Sequence, residues 1–174
     1  GGNNVINMTG DISTISTGGT AMHGIRIGSN SSSNTVNVTG NVSTTGSGSG
    51  VRINGQENSI GIGNHITVNG DVSSVSSHAI VIIIAHDSNI VVNGNVQSTN
   101  NAGIHISTTD TVNNIVTVNG NVSTSTTSAN PTIVFNAGAS DNLVVIDGNV
   151  TQLANLPAIK FGANGADTSH DNTV

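Results

Sequence analysis

Apolar and polar residues alternate along this chain in short bursts, and the bursts recur. In NVINMTGDIST, from Asn4, apolar side chains fall on every second position, the period of a strand with one buried face. The phrase returns as NTVNVTGNVST from Asn34, NHITVNGDVSS from Asn64, SNIVVNGNVQS from Ser88, NIVTVNGNVST from Asn114 and NLVVIDGNVTQ from Asn142. Asn172-Thr173-Val174 starts a seventh copy. Spacings of 30, 30, 24, 26, 28 and 30 residues are those of solenoids, in which each unit touches only its neighbours.

Each repeat reads as two strands with their turns. The first strand contributes the inward columns Ile6/Val36/Ile66/Ile90/Val116/Val144 and Met8/Val38/Val68/Val92/Val118/Ile146. A third column, Ile12/Val42/Val72/Val96/Val122/Val150, follows a glycine that recurs at 10, 40, 70, 94, 120 and 148. Such a glycine implies a positive φ or a backbone approach too close for a Cβ. The second strand reads GIRI, GVRI, AIVI, GIHI, TIVF and AIKF. Its inward columns are Ile25/Val51/Ile80/Ile104/Ile133/Ile159 and Ile27/Ile53/Ile82/Ile106/Phe135/Phe161. Nearly all of these residues are β-branched, which suits a pleated surface. Pro131 and Pro157 stand at the strand's entrance, where a missing N–H does least damage. No helical period occurs. The pattern predicts an all-β fold, a right-handed parallel β-helix of about six coils of 24–30 residues, forming one domain over 1–174. Asn at 4, 34, 64, 114, 142 and 172, with Ser at 88, predicts a hydrogen-bonded amide ladder up the stack.

Composition sharpens the picture. Asn, Ser, Thr and Gly dominate, charged residues make up 7%, and the only aromatics are Phe135 and Phe161. Three cations against nine acids, a net charge of −6, argue against nucleic acid or an anionic membrane as partner. No apolar run is long enough to span a bilayer, so no membrane insertion is expected. The chain has no cysteine and therefore neither disulfides nor thiolate metal sites.

The pattern G-[N/D]-[V/I]-x-[S/T], a loop, then [G/A]-I-x-I, carried best by GDISTISTGGTAMHGIRI from Gly10 and GDVSSVSSHAIVI from Gly70, resembles the β-helical passenger regions of bacterial autotransporters and filamentous-haemagglutinin-like adhesins. The resemblance implies export to the bacterial surface and a structural or adhesive stalk. It carries over no catalytic residue, because the matching positions are core and turn.

Candidate sites come from the outward positions. All three cations fall in one column, Arg26, Arg52, Val81, His105, Val134, Lys160, and Arg26, Arg52, His105 and Lys160 form the candidate surface-contact column. Its two readings are a stripe for an acidic polymer or a neighbouring rod, and long polar side chains on an exposed sheet face. Val81, Ile83 and Val134 also phase outward, as scattered surface aliphatics or a small lateral patch. Acids recur where each coil closes, at Glu57, Asp87, Asp110, Asp141, Asp167 and Asp171. Without a calcium-loop motif they read as turn residues. Histidines 23, 65, 78, 86, 105 and 170 share no phase and suggest no metal. Asp11 and Asp71 alternate with Asn41 in a post-glycine column that includes Asn95, Asn121 and Asn149. They look like interchangeable turn residues rather than a paired-carboxylate catalytic site. A Ser/Thr ladder follows each glycine: Ser13-Thr14, Ser43-Thr44, Ser73-Ser74, Gln97-Ser98, Ser123-Thr124, Thr151-Gln152. It raises an ice-binding reading, which the unequal coil lengths weaken.

The expected function is a non-enzymatic extracellular rod at the bacterial cell surface, either a segment of a longer adhesin or a subunit stacking end to end through uncapped coils. Host or cell-surface glycan or protein is the expected partner. An ice-binding solenoid is the alternative, and a polysaccharide-degrading β-helix enzyme stands behind it. No cofactor is expected.

Overall fold

Strands with identical inward columns can bury them only by lying one above another. In the computed structural model, which describes residues 1–17, 19–56, 59–162 and 171–174, they do so. Three six-stranded sheets run the length of the stack, a four-stranded sheet spans part of it, and every pairing between their strands is parallel. Sheet I holds Val5–Thr9, Thr35–Thr39, His65–Val68, Asn89–Val92, Ile115–Val118 and Leu143–Ile146. Sheet II holds Ile12–Thr14, Val42–Thr44, Val72–Ser74, Val96–Ser98, Val122–Thr124 and Val150–Gln152. Sheet III holds Ile25–Ile27, Val51–Asn54, Ile80–Ile83, Ile104–Ser107, Ile133–Phe135 and Ile159–Phe161. The fold is a parallel β-solenoid of about six coils.

The register matches the columns read from the sequence. Val36 pairs with Ile66, Val42 with Val72 and Ile53 with Ile82, and the same offsets hold from coil to coil. Interior members are fully buried, among them Ile66, Val68, Val72, Ile80 and Ile106. Some members on the end strands are open, with Ile6 55% and Phe161 47% exposed, whereas Ile25 and Ile27 on the first strand of sheet III are buried. Phe161 stacks on Phe135 at a centroid separation of 4.9 Å.

Two features correct the two-strand expectation. The residues after each glycine form a sheet of their own, because the chain turns sharply there. A short fourth sheet, sheet IV, then closes the coil through Gly61–Ile62, Ala85–His86, Thr111–Val112 and Ala139–Ser140. Its inward residues Gly61, Ala85, Thr111 and Ala139 are small and buried. They carry no apolar alternation that a sequence pattern could reveal.

The residue before each ladder position closes the coil in the left-handed region. Asn3, Ser33, Gly63, Asp87, Asn113, Asp141 and Asp171 have φ between 52° and 63°. Asn and Asp tolerate this conformation better than other side chains, which accounts for the acids at 87, 141 and 171. The glycine before sheet II has a different cause. A Cβ at Gly94 would lie 2.4 Å from the carbonyl oxygen of Gly70, and one at Gly70 2.3 Å from that of Gly40. Coil-to-coil approach at the bend leaves no room for a side chain.

The amide ladder forms as expected and is buried. Asn34 Nδ2 donates to Asn64 Oδ1 at 2.9 Å, and Asn114 Nδ2 to Asn142 Oδ1 at 2.9 Å. The same side chains also bond backbone, Asn64 Nδ2 to Ser31 O at 2.8 Å and Asn114 Nδ2 to Ala85 O at 2.7 Å. Each Oδ1 also receives the backbone N–H of the preceding ladder residue, as Asn142 does from Asn114 at 3.0 Å. Ser88 breaks the side-chain run. Its hydroxyl accepts the Asn64 N–H at 3.2 Å but donates to His86 O instead of onward to Asn114.

Gly94→Ala is expected to cost on the order of 2–4 kcal/mol in urea unfolding, against a change within about 0.5 kcal/mol for Gly28→Ala, which meets nothing within 4 Å. Ser88→Asn, by completing the ladder, is expected to raise stability by about 1 kcal/mol, read as a higher melting temperature.

Candidate functional site

Sheet III places the cation column on its outer face. Arg26 pairs with Arg52, Arg52 with Val81, Val81 with His105, His105 with Val134 and Val134 with Lys160. The six residues therefore form one straight file across the coils. Arg26 is exposed, while Arg52, His105 and Lys160 are half-buried. Arg52 Nη2 donates to Asn54 Oδ1 two residues along its own strand, which holds the guanidinium along the sheet. Among the described residues no carboxylate pairs with Arg26 or Arg52.

Two more residues belong to this face. His23 and His78 each stand two positions before the first inward residue of a sheet III strand, Ile25 and Ile80. They therefore share a phase, contrary to the expectation that the histidines share none. Alignment of the second strands by their inward isoleucines carries that signal in the sequence. His23 Nδ1 accepts the N–H of Ser49 at 2.9 Å, and His78 Nδ1 accepts that of Ala102 at 3.1 Å. The His78 ring leans to within 4.2 Å, centroid to centroid, of the His105 ring. His105 Nε2 in turn lies 2.9 Å from Asn136 Nδ2.

Burial and crowding of like charge keep these rings neutral. Burial first, then His105 and Arg52, brings His78 down to about 3. Burial and Arg52 bring His105 down to about 4. His23 is lowered by burial, then by Arg52 and Arg26, and Arg52 itself is lowered by burial and by Arg26.

The outward valines of this file are not surface aliphatics. Val81 is 1% and Val134 3% exposed, and Ile83 is half-buried. Val81 stands between the longer Arg52 and His105 in the file, and His78 reaches across to His105, so the neighbouring side chains close over it. A lateral apolar patch at these positions is thereby corrected.

Other candidates take structural places. Asp11 Oδ1 accepts the Asn41 N–H at 2.7 Å, Asn41 Oδ1 the Asp71 N–H at 2.8 Å, and Asp71 Oδ1 the Asn95 N–H at 2.7 Å. An acceptor is what this column needs, so Asp and Asn interchange. Asp87, Asp141 and Asp171 sit at the left-handed corners, and Asp110 has a φ of 63° in the turn before sheet IV. Glu57, Asp167 and His170 lie outside the described residues. Among the described residues no three His, Cys, Asp or Glu side chains gather as a metal would require. His65 and His86 belong to the strands of sheets I and IV, away from the cation file.

The Ser/Thr ladder is split by the pleat. Ser13, Ser43, Ser73, Gln97 and Ser123 line a polar groove of about 760 Å³ together with the post-glycine Asx column. Thr44, Ser74, Ser98 and Thr124 point inward and are buried. There Thr44 and Ser74 donate to Gly48 O, at 2.8 and 3.0 Å, and Ser98 to Ser77 O at 2.7 Å, anchoring the loops between sheets II and III. Each coil thus offers the surface one residue of the pair.

No protein-family model matches the chain, and no curated protein or solved structure matches it. The likeness to autotransporter passenger regions rests on the repeat pattern, of which the structure bears out the solenoid.

Acid should weaken this face. Unfolded histidines titrate near 6.5, whereas His78 and His105 titrate near 3 and 4 in the fold. Below about pH 6.5 the unfolded chain takes up protons that the folded chain refuses, so the stability present above that pH is lost as pH falls towards the folded values. The charged group that acts on both rings is Arg52, which cannot compensate a new positive charge. A loss on the order of 2–3 kcal/mol is expected between pH 7 and 4.5, after allowance for solvent screening. Urea titrations at the two pH values measure it, and His105→Gln should flatten the difference.

Proposed function

We propose that this chain is a non-enzymatic rod that acts outside the cell, as a stiff stalk with an adhesive side. The observation that carries the reading is the continuous coil-to-coil bonding. Sheets I, II and III run through every coil, and two Asx ladders, one buried and one at the bend, add side-chain bonds across the same gaps. Six coils at about 4.8 Å each give a segment roughly 29 Å long. Because the bonds lie along the axis, bending the rod means stretching those on its convex side and compressing those on its concave side. Among the described acids, Asp11 and Asp71 accept backbone N–H groups, and Asp87, Asp110, Asp141 and Asp171 hold left-handed turn positions. A Lys- and Cys-poor, Asn/Ser/Thr-rich surface is consistent with a place outside a bacterial cell.

The adhesive role is assigned to the outer face of sheet III, where the chain collects all its Arg and Lys residues in one file. On intact cells of the source organism, antibody raised against the purified chain should label the exterior, and externally added protease should remove the label. Deletion of the segment should reduce attachment of those cells to surfaces coated with acidic polysaccharide. Labelling that appears only after lysis would sink the reading.

A further inference from the structure

The outer face of sheet III presents hydrogen-bond donors. The ring nitrogens of His23 and His78 that accept hydrogen bonds are Nδ1, which receive the N–H groups of Ser49 and Ala102 at 2.9 and 3.1 Å. A neutral imidazole with Nδ1 as acceptor carries its proton on Nε2. Each ring therefore offers an N–H rather than a lone pair. Arg26 and Arg52 offer only donors by their chemistry. The two guanidinium side chains stand in register on adjacent strands, about 4.8 Å apart at the backbone. Like charges at that separation repel, and among the described residues no carboxylate pairs with either.

We propose that Arg26 and Arg52, flanked by the Nε2–H groups of His23 and His78, hold one oxyanionic group of an acidic polysaccharide, a carboxylate or a sulfate. The inference rests on the adhesive reading of this face. An anion lying between two guanidinium forks can accept from both, gaining charge-assisted hydrogen bonds while cancelling the repulsion between them. Arg52 is already steered by its bond to Asn54 Oδ1, so less side-chain freedom is lost on binding. The charge of the chain selects the carrier. With a net charge of −6, the rest of the rod repels a densely charged polyanion such as nucleic acid or an anionic membrane. A sparsely charged polysaccharide can place one anionic group on the site and leave its neutral hydroxyls along the polar flanks.

Arg26 and Arg52 are the only arginines in the chain, so their Nε–Hε resonances report the site directly. Sodium sulfate is titrated against sodium chloride at matched ionic strength and pH 7. Both resonances are expected to move along one saturating curve, and Arg26→Gln or Arg52→Gln to weaken binding about tenfold or more. Arg26 is exposed, so Arg26→Gln should keep the fold. The melting temperature checks this and should hold or rise as repulsion is relieved. Carboxymethyl-dextran and dextran sulfate oligomers of low substitution, with neutral dextran and inorganic phosphate beside them, identify the carrier. The acidic oligomers should displace sulfate and bind more tightly than it does, and neutral dextran should not bind. The proposal is overturned if neither arginine shows a saturable shift, or if the shift survives Arg26→Gln unchanged. Inorganic phosphate binding as tightly as the acidic oligomers overturns the polysaccharide assignment. Failure of exterior labelling with the isotherm intact would instead strike the adhesive reading.

Discussion

Parallel strands bonded at about 4.8 Å set each residue above its counterpart in the coil below, and the rest of this structure follows from that vertical register. Whatever one position needs, the position above it needs as well. An inward isoleucine requires an apolar neighbour, which is why Ile66, Ile90 and Val116 share a file. A glycine at the bend requires another above it, because the carbonyl of one coil occupies the place of the next coil's Cβ. A buried asparagine requires an acceptor one step up, and the Asn ladder supplies it.

The same register turns the outer face of sheet III into a place where weak features accumulate. Three cations dispersed through 174 residues would mean little. In one file, with His23 and His78 alongside, they make a positive strip on a negatively charged rod. Each histidine gives its accepting nitrogen to a backbone N–H of the next coil, so the coil-to-coil bonding also decides which way the rings present their protons. Structure and candidate chemistry are coupled there by the same hydrogen bonds.

Some of this was legible in the sequence because repetition converts a weak local signal into a strong one. A single Val-x-Val says little, whereas six in phase define an inward column. The amide ladder, the glycine column and the straight file of Arg26, Arg52, His105 and Lys160 were all readable in this way. Sheet IV was not, because its inward residues are Gly, Ala and Thr, without hydrophobic contrast. The split of each Ser/Thr pair was hidden as well. Both residues are polar, and only the pleat places Thr44 inside against Gly48 while Ser43 faces the groove.

By itself the sequence determined the coil. Its period, its inward residues, its bend and its parallel stacking all follow from which side chains can bear identical neighbours above and below. The tertiary structure alone decided what the outer residues meet. Val81 and Val134 phase outward yet are shielded, since burial of an outward side chain depends on the reach of its neighbours rather than on its own period. His78 comes to His105 across 27 residues of chain, and the histidines lose their ordinary basicity through burial and through the arginine beside them. A linear period specifies direction. Distance, burial and charge coupling between different columns exist only once the coils are stacked.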